Sequence, residues 1–353
     1  MRSRALGVVA WTVCAACSGG GHGGASVDAT GSTPARDAAG DSSDAAAASA
    51  WPDATNTGYT HAPGYAGSLT TWTGGAIESG QTYELIDFPG GVDVGSMTNH
   101  VTGVTFRGCR FHGTAVGAKL VGLYGDNITF DYCSFEPGVA APPVAYEDSY
   151  QYGLAGNGGY YTEIEQLTVT HSDFWGFGNA IDAQGSTQAK PHVFRDNWIH
   201  DASADGGALY HTDGIGAESG AGTGSYVVID HNNIQSAGNT NGIAYQAGTY
   251  DHMTITNNLF GGFGYTVAVL GGATASTFTG NTFSTGLSVG YGPLYPDDFW
   301  TTAGSTWSGN LWMVPPGAAW GSAAHDGWFW IPAEAENGGT SDTPFVSQTD
   351  FGG

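Results

Sequence analysis

The chain has 353 residues, enough for one large domain, with 59 glycines and only 11% charged residues. Thirty-two acidic against 8 basic residues give a net charge of −24, which argues against nucleic acid and anionic lipid headgroups as partners and favours cations, Ca²⁺ above all. No run of about 18 apolar residues is present to span a bilayer.

Residues 1–17, MRSRALGVVAWTVCAAC, set two arginines before a short apolar core and small residues, the layout of a secretory leader. The ending Cys14-Ala15-Ala16-Cys17 resembles a bacterial lipoprotein signal, in which Cys17 is lipidated and becomes the new N-terminus. Ordinary signal cleavage nearby is the alternative. The expected location is therefore the cell surface or outer membrane through a lipid anchor, or otherwise the medium. Residues 18–57 hold Gly, Ala, Ser, Asp and Thr with almost nothing apolar, and read as a flexible tether. Residues 58–318 read as the folded domain and 319–353, with Trp320, Trp328 and Trp330, as a cap or tail.

Within the domain one frame recurs: an apolar residue, then Asn, Ser or Cys three positions on, then another apolar residue two later. It runs through Phe106–Cys109–Phe111, Phe130–Cys133–Phe135, Val169–Ser172–Phe174 and Phe194–Asn197–Ile199. It continues at Ile229–Asn232–Ile234, Ile255–Asn258–Phe260, Phe278–Asn281–Phe283 and Trp307–Asn310–Trp312. The nearest repeats lie 23 to 26 positions apart, a period that signals a solenoid. Each unit alternates β-branched and aromatic residues with polar ones and has no helical stretch. The pattern predicts an all-β, right-handed parallel β-helix with an internal Asn/Ser/Cys ladder. Cys109 and Cys133 share one register a coil apart, so they form either a disulfide or two buried free thiols. A zinc site is not supported.

A second column aligns Asn179, Asp213, Asn241 and Tyr265 as successive passes of one strand. Ile181, Ile215, Ile243 and Val267 then point inward, and Asp182, Gln184, Glu218 and Gln246 are expected to form an outward polar stripe where an extended polymer lies. The pass HTDGIGAE at 211–218 is the most loaded, preceded by a loop carrying His200, Asp201 and Asp205. Glycoside hydrolysis needs one protonated and one ionised carboxylate. Asp213 with Asp182 or Glu218, assisted by His211, is the candidate catalytic set. Trp175, Tyr210, Tyr245 and Tyr265 are candidate sugar platforms. A lyase would need a base and a cation to neutralise a uronate. Lys190 and Arg195, or Ca²⁺ held by Asp182, Asp213 and Glu218, would supply that cation. The plain alternative takes Asp-Gly at 213–214 as a turn and the acidic residues as solvated surface.

The ladder and coil pattern, over about residues 80–314, resembles the pectate-lyase-like superfamily, which includes polygalacturonases, pectate lyases and alginate lyases. His211-Thr212-Asp213-Gly214 is similar to the polygalacturonase Asn-Thr-Asp-Gly, which puts Asp213 at the position of a catalytic acid. The order NWIHD, HTDGI, DHNNI, TITNNLFGGFGYT resembles a group of secreted bacterial β-helix proteins of unsettled activity. Asn241-Gly-Ile stands where an Asp-Asp pair would be, and Gly-His-Gly and Arg-Ile-Lys are missing. The resemblance implies a monomer acting on extracellular polysaccharide as hydrolase or lyase. A non-catalytic glycan-binding or adhesin-like module is the alternative.

Overall fold

A computed structural model describes residues 50–113, 117–145, 148–156, 164–203, 211–217, 226–245, 250–269, 274–284, 287, 292–294 and 304–313. The leader with Cys17, the tether up to residue 49, the tail, Asp205, Tyr210, Glu218 and Gln246 lie outside the described residues.

Short parallel strands stack coil upon coil into a ten-stranded and a sixteen-stranded sheet. The ten-stranded sheet forms one face, here face A. The larger sheet changes direction along the strand Gly117–Asp131, whose two halves belong to faces B and C. A representative coil runs Leu167–Thr170 on B, Asp173–Trp175 on A and Asn179–Asp182 on C, then returns to B at His192–Arg195.

Two residues separate a B strand from the following A strand, so the chain must turn sharply there. The first of the two adopts a left-handed conformation in coil after coil: Tyr132 (φ 53°), His171 (49°), Asp196 (57°), His231 (54°) and Asn257 (56°). Side chains tolerate that region poorly, so each turn needs outside support. The next residue in each turn supplies it. Cys133 N–H donates to Ser172 Oγ at 3.1 Å, and Ser172 N–H to Asn197 Oδ1 at 3.0 Å. Asn197, Asn232, Asn258 and Asn281 then each donate Nδ2–H to the next rung at 2.9–3.0 Å, ending on Asn310. Burial of these amides is affordable because every rung finds its partner one coil on.

Inside the turns, rings stack at coil spacing. Phe106 lies 5.0 Å from Phe130, Phe111 5.0 Å from Phe135, and Phe135 4.1 Å from Phe174. Ile181, Ile215, Ile243 and Val267 form the aliphatic row of face C, in the predicted register. Cys109 and Cys133 are both buried and stand as free thiols.

The segment read as the end of the tether is different. Residues 50–57 lie along the solenoid: Asn233 Nδ2 donates to Pro52 O at 2.8 Å, and Trp51 Nε1 to Asn257 O at 3.4 Å. Gly58 N–H bonds His171 O at 2.9 Å. Low apolar content suggested a free chain, but one tryptophan and backbone hydrogen bonds hold it against face A.

Candidate functional site

The A-to-C corner brings three strand ends together: Trp175 ends Asp173–Trp175, His200 ends Trp198–His200, and Asp213 opens Asp213–Ala217. Trp175 and His200 are neighbours across the sheet. The corner is tight because Gly176 and Gly178 make it. A Cβ on Gly178 would lie 2.8 Å from Gln151 O and 3.1 Å from His211 O, and Gly176 has φ 79°. Asp213 N–H bonds Gly178 O and Gly176 N–H bonds Asp201 O, each at 2.9 Å, which fixes the coils relative to each other. A small, mostly apolar cleft results, lined by Trp175, Phe177, His200, Asp213, Ser236 and Phe263 among others.

The carboxylate of Asp213 is buried, the residue being 3% exposed. Its Oδ1 accepts the backbone N–H of Asn241 at 2.7 Å and Nδ2–H at 3.0 Å, and its Oδ2 stands 4.0 Å from His211 Nδ1. His211 is open to solvent, with 54% of its side chain exposed. Asp213 thus stands beside His211, and Asp213 and Trp175 both line the cleft.

The sequence marks His200 only as part of a loop and assigns Asp173 no role. The structure makes them one unit. His200 Nε2 lies 3.0 Å from Asp173 Oδ1 and Nδ1 2.6 Å from Asp201 Oδ2, with the Trp198 ring stacked at 3.4 Å. The available signal was alternation: Trp198 and His200 flank the inward Ile199, so both belong to the outer surface.

Other expectations need correction. Asp182 does not belong to an open stripe. It is 6% exposed, in a row with Ala155, Gly216, Ala244 and Ala268, all small and buried. A row that small and that buried is a packed surface. Tyr245 is no sugar platform, because it shares the parity of Ile243, is fully buried and packs edge-to-face on Tyr250 at 5.2 Å. Burial, with lesser contributions from Tyr250 and Asp182, pushes its hydroxyl far above the usual range. Tyr265 is half-buried beside Asn241. Lys190 and Arg195 do not serve face C: after Asp182 the chain has crossed toward face B, where Lys190 pairs with Glu165 and Arg195 with Asp230 at 3.0 Å. Among the described residues no three His, Cys, Asp or Glu side chains converge as a metal cage, and Glu218 lies outside them.

Parallel strands curled into stacked coils accompany a match to the family model for the right-handed beta helix region over residues 89–283, more than half of the chain. The chain belongs to the right-handed β-helix family. No curated protein matches it in sequence. This membership accounts for the ladder and the turns of the β-helix. It does not by itself select a reaction, since one fold hosts many functions.

Proposed function

We propose that this β-helix protein binds extracellular polysaccharide at the A-to-C corner and hydrolyses it with Asp213 as the acid–base carboxylate. The observation that carries the reading is a buried carboxylate on the wall of a cleft, beside Trp175 and His200 and within 4.0 Å of His211. An aromatic ring offers a face for a sugar ring, and a shielded carboxylate can exchange a proton with a glycosidic oxygen. Asp201, between the lining residues His200 and Ala202 and with half of its side chain exposed, is a candidate for the second carboxylate. Elimination loses Lys190 and Arg195 as its cations, since carboxylates hold them toward face B, and would have to rest on bound Ca²⁺. Export and lipidation at Cys17 form part of the same proposal.

A binding module without catalysis is the second reading. It is favoured by Asp213 Oδ1, which serves Asn241 as a hydrogen-bond acceptor much as a ladder asparagine would. The test uses the full chain on a panel of neutral and uronic polysaccharides, with Ca²⁺ or chelator, and with Asp213→Asn as control. New reducing ends without an unsaturated product, lost in Asp213→Asn, support the hydrolase. Unsaturated ends lost on chelation establish a calcium-dependent lyase instead. Retention on a glycan without turnover leaves the binding module.

A further inference from the structure

Resting on the reading that the corner cleft binds glycan, we infer that its ligand carries no carboxylates and that amino-sugar polymers are its preferred class. All five Lys and Arg side chains among the described residues are engaged by acids. Arg107 lies 2.9 Å from Glu84 and 3.6 Å from Asp131, and Arg110 lies 2.6 Å from Glu136. Lys119 is 3.4 Å from Asp93, Lys190 pairs with Glu165, and Arg195 is 3.0 Å from Asp230. None of the five lines the cleft.

One acid lines the cleft and two more stand behind its histidine. Asp213 stands on its wall, and His200 carries Asp173 on one ring nitrogen and Asp201 on the other. Even with His200 and His211 both protonated, three carboxylates outnumber two cations. Asp201 has 52% of its side chain exposed and can meet an incoming group. A uronate would place its own negative charge among these acids with no lysine or arginine to offset it, and the chain's net charge of −24 adds a repulsive long-range field. An ammonium group reverses each of those signs. Trp175 supplies a ring that accepts both the C–H face of a sugar and a nearby cation. Charge therefore selects the ligand class, while the aromatic surface leaves the sugar face otherwise open.

Calorimetric titration of the full chain with length-matched oligomers of β-1,4-linked glucosamine, their N-acetylated form, and oligogalacturonate tests the inference. Oligogalacturonate is run with Ca²⁺ and with chelator. The glucosamine oligomer is expected to bind about tenfold tighter than the N-acetylated one at low ionic strength, and the advantage to shrink to about twofold near 0.5 M salt as charges are screened. Asp201→Asn should at least halve the advantage, and the salt titration of the unaltered chain gives the same answer independently of how that variant folds. Oligogalacturonate binding as tightly as either other oligomer, with or without Ca²⁺, overturns the inference and leaves the glycan reading standing. Binding of none of the three overturns this inference, while the wider polysaccharide panel decides the glycan reading separately.

Discussion

Asp213 Oδ1 receives both the backbone N–H of Asn241, at 2.7 Å, and its side-chain Nδ2–H, at 3.0 Å. The internal ladder uses the same two-donors-on-one-oxygen pattern, as where Asn197 donates both groups to Asn232 Oδ1. The direction is reversed: ladder rungs donate to the following coil, whereas Asn241 donates to the preceding one. Asparagine at 213 would offer the same oxygen without burying a carboxylate. What aspartate adds to that pair of bonds is charge or a transferable proton.

Asp213→Asn should therefore keep the fold and lose the chemistry. The melting temperature is expected to stay within about 3 °C of the parent, and polysaccharide turnover to fall by at least about 100-fold. Asp213→Ala should instead cost about 1–3 kcal/mol, because the Asn241 donors lose their acceptor. Thermal melts and reducing-end assays on both variants check this. Equal turnover in the Asn variant would make Asp213 a structural rung.

Asn232 sits mid-ladder and fully buried, accepting from Asn197 and donating to Phe194 O and Asn258 Oδ1. Asn232→Leu strands partners on both sides and should cost about 3 kcal/mol or more in denaturant unfolding. Asn232→Ser should cost less, since Ser172 already works as a rung.

Two histidines set opposite pH slopes. His192 is buried in the solenoid, its Nδ1 accepting Leu167 N–H at 3.0 Å, and burial lowers its pKa to about 4. Between about pH 6.5 and that value the unfolded chain binds a proton that the folded chain refuses, so stability falls as the medium is acidified. The loss reaches about 3 kcal/mol below that window. His192→Gln should flatten the acid limb of a stability-versus-pH curve.

On the outside, His171 Nδ1 lies 3.1 Å from Asp131 Oδ1, and that bond raises its pKa above the usual histidine value. Its contribution is complete below about pH 6.5 and fades as pH rises through the raised value. Burial pushes Asp131 upward, but bonds from His171 and Thr170 and the nearby charges outweigh it and hold the carboxyl low. That contribution is present above about pH 4 and is lost below it. Maximum stability is expected near pH 6–6.5, and Asp131→Asn should remove the decline on the alkaline side. Denaturant melts across pH measure both limbs.

Cys109 and Cys133 are buried thiols, and burial with the neighbouring thiol pushes Cys133 well above the usual thiol range. A thiol reagent should leave both unmodified in the native protein and label both after unfolding in guanidinium, as peptide mass mapping would show. Labelling of Cys133 under native conditions would contradict its packing.

The ladder was legible because each rung makes one repeated demand: a short polar side chain beside a left-handed turn, between two inward residues. Val169, Ser172 and Phe174 state that demand within six positions. A second internal column escaped notice. His192 Nδ1 accepts Leu167 N–H, and Ser276 Oγ accepts Met253 N–H at 3.0 Å, at the start of face B. Residue types vary along it, so no pattern marks the column. At the candidate site, residue chemistry alone singles out Asp213, His211 and Trp175, whereas it places Asp182 and Tyr245 on an open surface that the structure buries. All five residues of Asp213–Ala217 and of Asn241–Tyr245 are buried, so the period of two does not separate inner from outer surface there.

Sequence alone determined the β-helix, its register and the line of buried amides, because those depend on contacts between equivalent positions of neighbouring coils, and equivalence is written as a repeat. Tertiary structure alone decided that Asp213 faces a cleft, that Asp173, His200 and Asp201 form one unit, and that residues 50–57 lie on face A. Those contacts join non-equivalent positions, between residues as far apart as 206 positions for Trp51 and Asn257. No spacing rule relates them, since only the path of the folded chain brings them within hydrogen-bond distance.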